Sequence, residues 1–135
     1  MKKVYSLRFA IGLIFFLTSE ASNLKAQMVY LPDTNFRNAL TNNGLGTCIT
    51  GDSIDAACPN VVNTTSLNIT GRNIVSIEGI QVFTNLQILD CYENDLTFLP
   101  PLPASLTNLD CSWNQLTSLP SLPTSLTWLS SMTSW

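Results

Sequence analysis

The sequence predicts an α/β repeat solenoid, a right-handed coil with a parallel, concave β-sheet, a short helical N-terminal cap and an irregular convex side. Two observations support this fold class. Residues 86–100 recur at 106–120, a period of twenty (106 − 86 = 20), and a further copy starts at Leu126. One such unit has too few apolar side chains to offset the entropy of fixing its backbone, so units must stack on their neighbours.

The two full copies share the spacing L-x-x-L-x-C-x-x-N-x-L, which is typical of the leucine-rich repeat. A longer copy precedes them, with Leu67, Ile69 and Ile74 at the matching positions. Its return segment, 77–86, has helix-like apolar spacing and predicts a short helical or 3₁₀ turn. The later returns contain repeated prolines, so we expect extended, polyproline-like chain on the convex side. The repeats are assigned to 64–135, about three and a half units with the last incomplete.

Residues 1–26 are predicted to be a signal peptide. Lys2, Lys3 and Arg8 form a basic region before or at the start of the apolar run 9–17. This run is shorter than the ~20 residues of a membrane span, and cleavage after Ala26 is expected, with cleavage after Ala21 as the alternative. An uncleaved membrane anchor is the competing interpretation. The expected location is therefore secreted or at the cell surface, with no membrane insertion after cleavage.

Removal of 1–26 leaves two cations, Arg37 and Arg72, against eight acids, a net charge of 2 − 8 = −6. Nucleic acids and anionic membranes are poor partners for such a chain, because lysine and arginine supply most of the affinity for phosphate. About 109 residues remain, enough for one domain. Because the last repeat is incomplete, we expect the chain to be the N-terminal fragment of a longer protein; an open edge that is occupied by another chain is the alternative.

Residues 27–63 lack the repeat and are predicted to form an N-terminal cap. Asp33 is the expected N-cap of a short helix that places Phe36, Ala39 and Leu40 on one face. Such a helix would cover the first repeat.

Cys48 and Cys58 are predicted to form a disulfide in this cap, as expected for a close pair in an exported chain. A calcium loop using Asp52 and Asp55 is the alternative, but the loop lacks the further oxygen ligands of known calcium sites. The chain has no histidine and no C-x-x-C motif, so zinc is not expected.

Cys91, Cys111, Asn94 and Asn114 occupy equivalent positions of consecutive repeats and are predicted to form a structural ladder. The cysteines are expected to be buried free thiols, since parallel Cβ vectors do not favour disulfide geometry; a Cys91–Cys111 disulfide is the alternative. The asparagines are expected to point inward and satisfy backbone groups of adjacent turns.

Strand alternation predicts which side chains face outward on the concave sheet. The candidate binding face comprises Ile88, Asp90, Tyr92, Asn108, Asp110, Ser112, Trp113 and Trp128. Aromatic residues among polar neighbours are typical of recognition surfaces, and the expected ligand is a protein or a glycan. The alternative is a structural spacer in an adhesin, with no ligand of its own.

Residues 30–40, 65–69 and 77–86 together resemble the cap and first repeats of secreted bacterial internalin-like leucine-rich-repeat proteins. The L-P-x-L-P returns resemble those of the twenty-residue bacterial subtype. The resemblance implies a binding scaffold outside the cell and transfers no particular ligand. Catalytic, cofactor-binding and metal residues are not predicted: the chain lacks histidine, lysine after Lys25 and a glycine-rich phosphate loop. The sequence therefore predicts a non-enzyme without cofactors.

Overall fold

The computed structural model describes residues 27–131. The predicted signal peptide, 1–26, and residues 132–135 of the last predicted repeat lie outside the described residues. The helices are α1 (Thr34–Leu40) and the single turn α2 (Pro59–Val62), with 3₁₀ turns at Gly46–Cys48 and Ile80–Val82 and a π-type turn at Thr41–Leu45. The strands are β1 (Met28–Tyr30), β2 (Ile49–Thr50), β3 (Ser53–Asp55), β4 (Ser66–Asn68), β5 (Ile88–Asp90), β6 (Asn108–Asp110) and β7 (Trp128–Ser130).

The predicted fold class, an α/β repeat solenoid, is wrong. The described chain is a small domain with two sheets and few helices: a three-stranded antiparallel sheet ordered β1-β3-β2 and a four-stranded parallel sheet ordered β4-β5-β6-β7. The repeated leucine spacing covers only the parallel strands. The antiparallel sheet is built from segments that do not repeat: β2 and β3 form a local hairpin, and β1 pairs with the other side of β3. The period of twenty therefore did not predict this sheet.

The antiparallel sheet forms because apolar side chains alternate along its short strands. Val29 and Ile49 both oppose Ile54, which is fully buried. Cys48 and Cys58 flank this hairpin and form the predicted disulfide, with their Cα atoms 5.8 Å apart. The disulfide prediction is confirmed, and the bond closes the loop that carries β2 and β3.

Helix α1 begins where the sequence predicts. The Asp33 carboxylate accepts a hydrogen bond from the backbone N–H of Phe36 at 2.9 Å, so the predicted N-cap is confirmed. Phe36, Ala39 and Leu40 are buried on one face of the helix. Their burial joins α1 to the same apolar core that lies behind the parallel sheet.

The parallel sheet is in register across all four strands. Leu67 of β4 pairs with Leu89 of β5, Leu89 pairs with Leu109 of β6, and Leu109 pairs with Leu129 of β7. The first three of these leucines point into the core and are at most 1 % exposed. Because strand side chains alternate between faces, the residues on either side of each leucine lie on the opposite, outer face of the sheet.

The connections between parallel strands differ along the chain. The connection from β4 to β5 contains the predicted 3₁₀ turn, Ile80–Val82, with Gly79 before it at φ +97°. Residues 99–103 and 119–123, with their repeated prolines, contain neither helix nor strand. Proline lacks the N–H that a helix requires, which accounts for the difference.

Candidate functional site

The outer face of the parallel sheet carries two aligned rows of side chains. Strand register places Ile88, Asn108 and Trp128 in one row and Asp90, Asp110 and Ser130 in the next. Ile88 and Trp128 are each about half exposed, at 46 % and 49 %. Neighbouring strands lie ~4.8 Å apart, so the row members are close enough for one ligand group to contact several of them.

These rows form an open groove of about 260 Å³. Its lining comprises Ile88, Leu89, Asp90, Asn108, Asp110 and Trp128. Five members of the predicted binding face thus lie together: Ile88, Asp90, Asn108, Asp110 and Trp128. Tyr92, Ser112 and Trp113 do not line the groove. We call this feature the sheet groove.

Asp90 is fixed by hydrogen bonds from the neighbouring strand and from its own turn. Its Oδ1 accepts from the Thr70 hydroxyl at 2.8 Å and from the Tyr92 N–H at 3.2 Å, and its Oδ2 accepts from the Asn68 amide at 3.3 Å. The carboxylate is consequently held at one place on the outer face before any ligand arrives.

Asp110 is held by a different set of donors. Its Oδ1 accepts from the Ser112 backbone N–H at 3.0 Å and from the Ser112 hydroxyl, and that hydroxyl also lies 2.6 Å from the Ser130 hydroxyl. The hydrogen bonds found to the Asp110 carboxylate among residues 27–131 all reach Oδ1. The second oxygen therefore remains available to a donor in the sheet groove.

Ser112, a member of the predicted binding face, is largely buried. It is only 5 % exposed, and its hydroxyl is engaged by Asp110 and Ser130. Strand β6 ends at Asp110, so the strand alternation used for the prediction no longer applies two residues later. Ser112 instead positions the Asp110 carboxylate.

The two aspartates form a like-charge pair on adjacent strands. If the charges are separated by the ~5 Å spacing of neighbouring strands, their repulsion is of order 1 kcal/mol in water and about 3 kcal/mol at a surface dielectric of 20. Neither Lys nor Arg is among the residues lining the sheet groove. A cation placed between them would relieve this repulsion.

Tyr92 and Trp113 form an aromatic pair from neighbouring turns. Their ring centroids are 6.2 Å apart and the rings are tilted by 46°. The Trp113 side chain is 54 % exposed. Its backbone adopts φ +55°, a conformation that non-glycine residues seldom use. The pair offers an aromatic surface separate from the lining of the sheet groove.

Asn94 and Asn114 lie on the inner side and bind backbone groups of adjacent segments. The Asn94 amide donates to the Ile69 and Cys91 carbonyls at 2.9 and 3.1 Å, and its oxygen accepts from the Ile74 N–H at 3.0 Å. Asn114 makes the corresponding bonds to the carbonyls of Cys91 and Cys111. Both side chains are buried, so their contribution is to structure rather than to ligand contact.

Cys91 and Cys111 are free, buried thiols. The Cys91 Sγ donates to the Asp110 carbonyl at 3.1 Å and the Cys111 Sγ to the Ser130 carbonyl at 3.4 Å. Burial, assisted by the nearby Asp110 carboxylate, raises the pKa of Cys111 to about 11, and burial raises the pKa of Cys91 well above its usual value. Thiolate is the reactive form, so both residues are unsuited to nucleophilic or redox chemistry at neutral pH.

The hydrogen-bonding roles of Thr70, Ser130 and Asn68 were not predicted. Each supports an aspartate of the sheet groove or the serine that holds one. A signal for them exists in the sequence: when the repeated segments are aligned, hydroxyl or amide residues fall beside the aspartates on the neighbouring strand.

Comparison with known proteins assigns no family. No protein-family model matches the chain, and no curated protein matches it. Among residues 27–131, no group of three or more histidine, cysteine, aspartate or glutamate side chains is placed to hold a metal ion. None of the helices in this part of the chain has the length and apolar character needed to cross a membrane.

Proposed function

We propose that this protein is a non-enzymatic binding module that recognises a protein partner through the sheet groove. The observation that supports the proposal is the groove itself, about 260 Å³ on a solvent-facing sheet, with half-exposed Ile88 and Trp128 beside ordered polar groups. Partly exposed aromatic and aliphatic side chains next to oriented polar groups are typical of binding hot spots. A spacer needs no such arrangement.

The same groove offers little for catalysis. Its titratable groups are Asp90 and Asp110, which lie side by side on an open sheet. Carboxylate catalysis needs two acids whose pKa values are driven apart, usually in a cleft that excludes water. The chain contains no histidine to serve as a general base. A binding role therefore fits the groove better than an enzymatic one.

The proposed site of action is outside the cell. The Cys48–Cys58 disulfide is compatible with an extracellular location. We further propose that the protein is exported through a signal peptide comprising 1–26. The resemblance to secreted internalin-like proteins supports this route. N-terminal sequencing of the protein recovered after expression in an exporting bacterial host tests this, with Gln27 as the expected first residue. An intact N-terminus would contradict cleavage.

The binding proposal can be tested by panning the full chain against a displayed library of random twelve-residue peptides. We expect enriched peptides whose affinity falls at least tenfold on Trp128→Ala. Phe98→Ala is the matched control, because Phe98 is also an aromatic residue that is 49 % exposed but does not line the groove. Circular dichroism of both variants verifies that each is folded.

Three results would count against this function. A library without enriched peptides would favour the spacer alternative. Equal losses for Trp128→Ala and Phe98→Ala would place binding elsewhere. Selective binding to a glycan array that depends on Trp128, with no peptide enriched, would contradict a protein partner and favour a carbohydrate ligand.

A further inference from the structure

The side chains of the sheet groove indicate which chemical group of a partner protein would fit it. This inference rests on the proposed function. One row of the groove is apolar at both ends, with Ile88 and Trp128 on either side of Asn108. The adjacent row contains Asp90 and Asp110 next to each other. A complementary group must therefore be apolar along its length and positively charged at its end.

The spacing of the apolar row suits a single unbranched chain. Ile88 and Trp128 are separated by two strand intervals, roughly 10 Å between backbones, with the polar Asn108 between them. Both flanking side chains are about half exposed, so each offers an apolar surface above the sheet. An aliphatic chain laid over Asn108 would contact both of them.

The acidic row is already ordered for a cation. The Oδ1 atoms of Asp90 and Asp110 are engaged by donors of this chain, which fixes both carboxylates. The hydrogen bonds found to Asp110 leave its Oδ2 free, and the Asp90 Oδ2 accepts only the 3.3 Å bond from Asn68. Ligand binding therefore does not have to order these side chains, which removes a common cost of association.

We propose that the sheet groove binds an arginine side chain of the partner protein. The methylene stem lies over Asn108 between Ile88 and Trp128, and the guanidinium bridges Asp90 and Asp110. Arginine fits better than lysine, because its planar head has five donors that can serve two carboxylates and can stack on an indole. Charge complementarity supports this choice, since residues 27–131 carry two cations and eight acids, 2 − 8 = −6.

Nuclear magnetic resonance with short blocked peptides tests the proposal. The probe is a five-residue peptide with a central arginine flanked by glycine and serine, titrated into the ¹⁵N-labelled full chain. The comparison peptides differ only at the central residue, which is lysine or citrulline, the neutral isostere of arginine. We expect amide shifts at Ile88, Asp90, Asn108 and Asp110 and a shift of the Trp128 indole N–H. Arginine should bind at least tenfold more tightly than citrulline and more tightly than lysine.

Charge-neutral variants locate the interaction. The double variant Asp90→Asn with Asp110→Asn should weaken arginine binding at least tenfold. Asp95→Asn is the control, because Asp95 is also partly exposed but bonds to Gln115 and does not line the groove. Raising the salt concentration from 0.15 to 1 M should weaken binding to the wild type, because salt screens exposed charges.

The outcomes separate this inference from the proposed function. Citrulline binding as tight as arginine, or the same arginine affinity in the double variant, overturns the arginine proposal. Displayed peptides that depend on Trp128 but lack arginine overturn it while leaving the binding function intact. Displayed peptides enriched in arginine, with affinity lost in the double variant and retained in Asp95→Asn, support both.

Discussion

The two outer strands of the parallel sheet have the same sequence pattern and very different surroundings. Strand β4 is covered: Leu67 is 1 % exposed, and the Asn43 amide donates to the Asn68 carbonyl at 2.8 Å. On β7, the equivalent Leu129 is 37 % exposed. No strand within residues 27–131 pairs with the free edge of β7. Burial of a leucine in this sheet is therefore decided by its neighbours and not by its position in the repeated sequence.

The covered end depends on two contacts that lie far apart in sequence. The Asp33 carboxylate caps α1 and also accepts from the N–H groups of Val75 and Ser76, at 2.7 and 3.0 Å. Gly79, at φ +97°, lets Leu31 pack where any Cβ would collide with it. These contacts join the N-terminal part to the first parallel segment, and the comparison predicts that the two ends of the sheet differ in stability.

The largest effect is expected from truncating equivalent leucines. Leu89→Ala should lower the free energy of unfolding by about 2–5 kcal/mol, because it leaves a cavity in the core. Leu129→Ala should cost less than half as much, since its side chain is already partly in water. Urea unfolding of both variants measures this. Equal losses would mean that β7 is covered in solution.

Gly79→Ala should be the next most damaging change. It forces a left-handed backbone on a residue with Cβ, at about 1–2 kcal/mol, and pushes Leu31 aside. Gly51→Ala is the control, because Gly51 has φ +62° but nothing within 4 Å of the added Cβ. We expect Gly79→Ala to lower the thermal midpoint further than Gly51→Ala. Similar midpoints would show that the contact with Leu31 adds little.

Asp33→Ala should cost about 1–3 kcal/mol, because it leaves backbone N–H groups of α1 and of the 75–76 segment without an acceptor. Asp52→Ala is the matched control, since the exposed Asp52 carboxylate accepts only from the Ser53 hydroxyl among the bonds found. Hydrogen exchange provides the site-specific readout. Loss of amide protection at Val75 and Ser76 is expected in Asp33→Ala, and retained protection there would contradict the link.

The last effect is expected only at alkaline pH. In the folded chain the pKa of Cys111 is raised to about 11, whereas a cysteine in the unfolded chain has its ordinary pKa of 9.0. Between these values the unfolded state binds fewer protons, so the free energy of unfolding should fall as pH rises from 9 to 11. Cys111→Ala should show a shallower fall in urea midpoint over this window. An unchanged slope would contradict the raised pKa.

Local patterns in the sequence predicted local features well. The Asp33 cap of α1 and the Cys48–Cys58 disulfide both depend on residues close in the chain, and both are confirmed. The repeated leucines coincide with the four parallel strands. The inference from that period to a solenoid failed, since a period describes only the segments that repeat and 28–55 form a second, antiparallel sheet.

Features that join distant segments were not predicted. The second role of Asp33 involves backbone groups 42 and 43 residues away, and no local pattern marks them as donors. In the candidate site, strand register aligns Ile88 with Trp128, whereas Ser112 lies beyond the end of β6, where strand alternation no longer applies. Beyond the end of a strand, the direction and exposure of a side chain depend on the conformation of the turn that contains it.

The disulfide also has a mechanical consequence. A protein stretched from its two ends lengthens as its chain is drawn out, by at most ~3.6 Å for each released residue. Cys48 and Cys58 are ten residues apart with Cα atoms 5.8 Å apart, so the bond withholds about 30 Å of contour length from any pulling force. Strands β2 and β3 lie inside this loop and cannot be drawn out in line while the bond is intact. Reduction of the disulfide would make this additional contour length available to the pulling force.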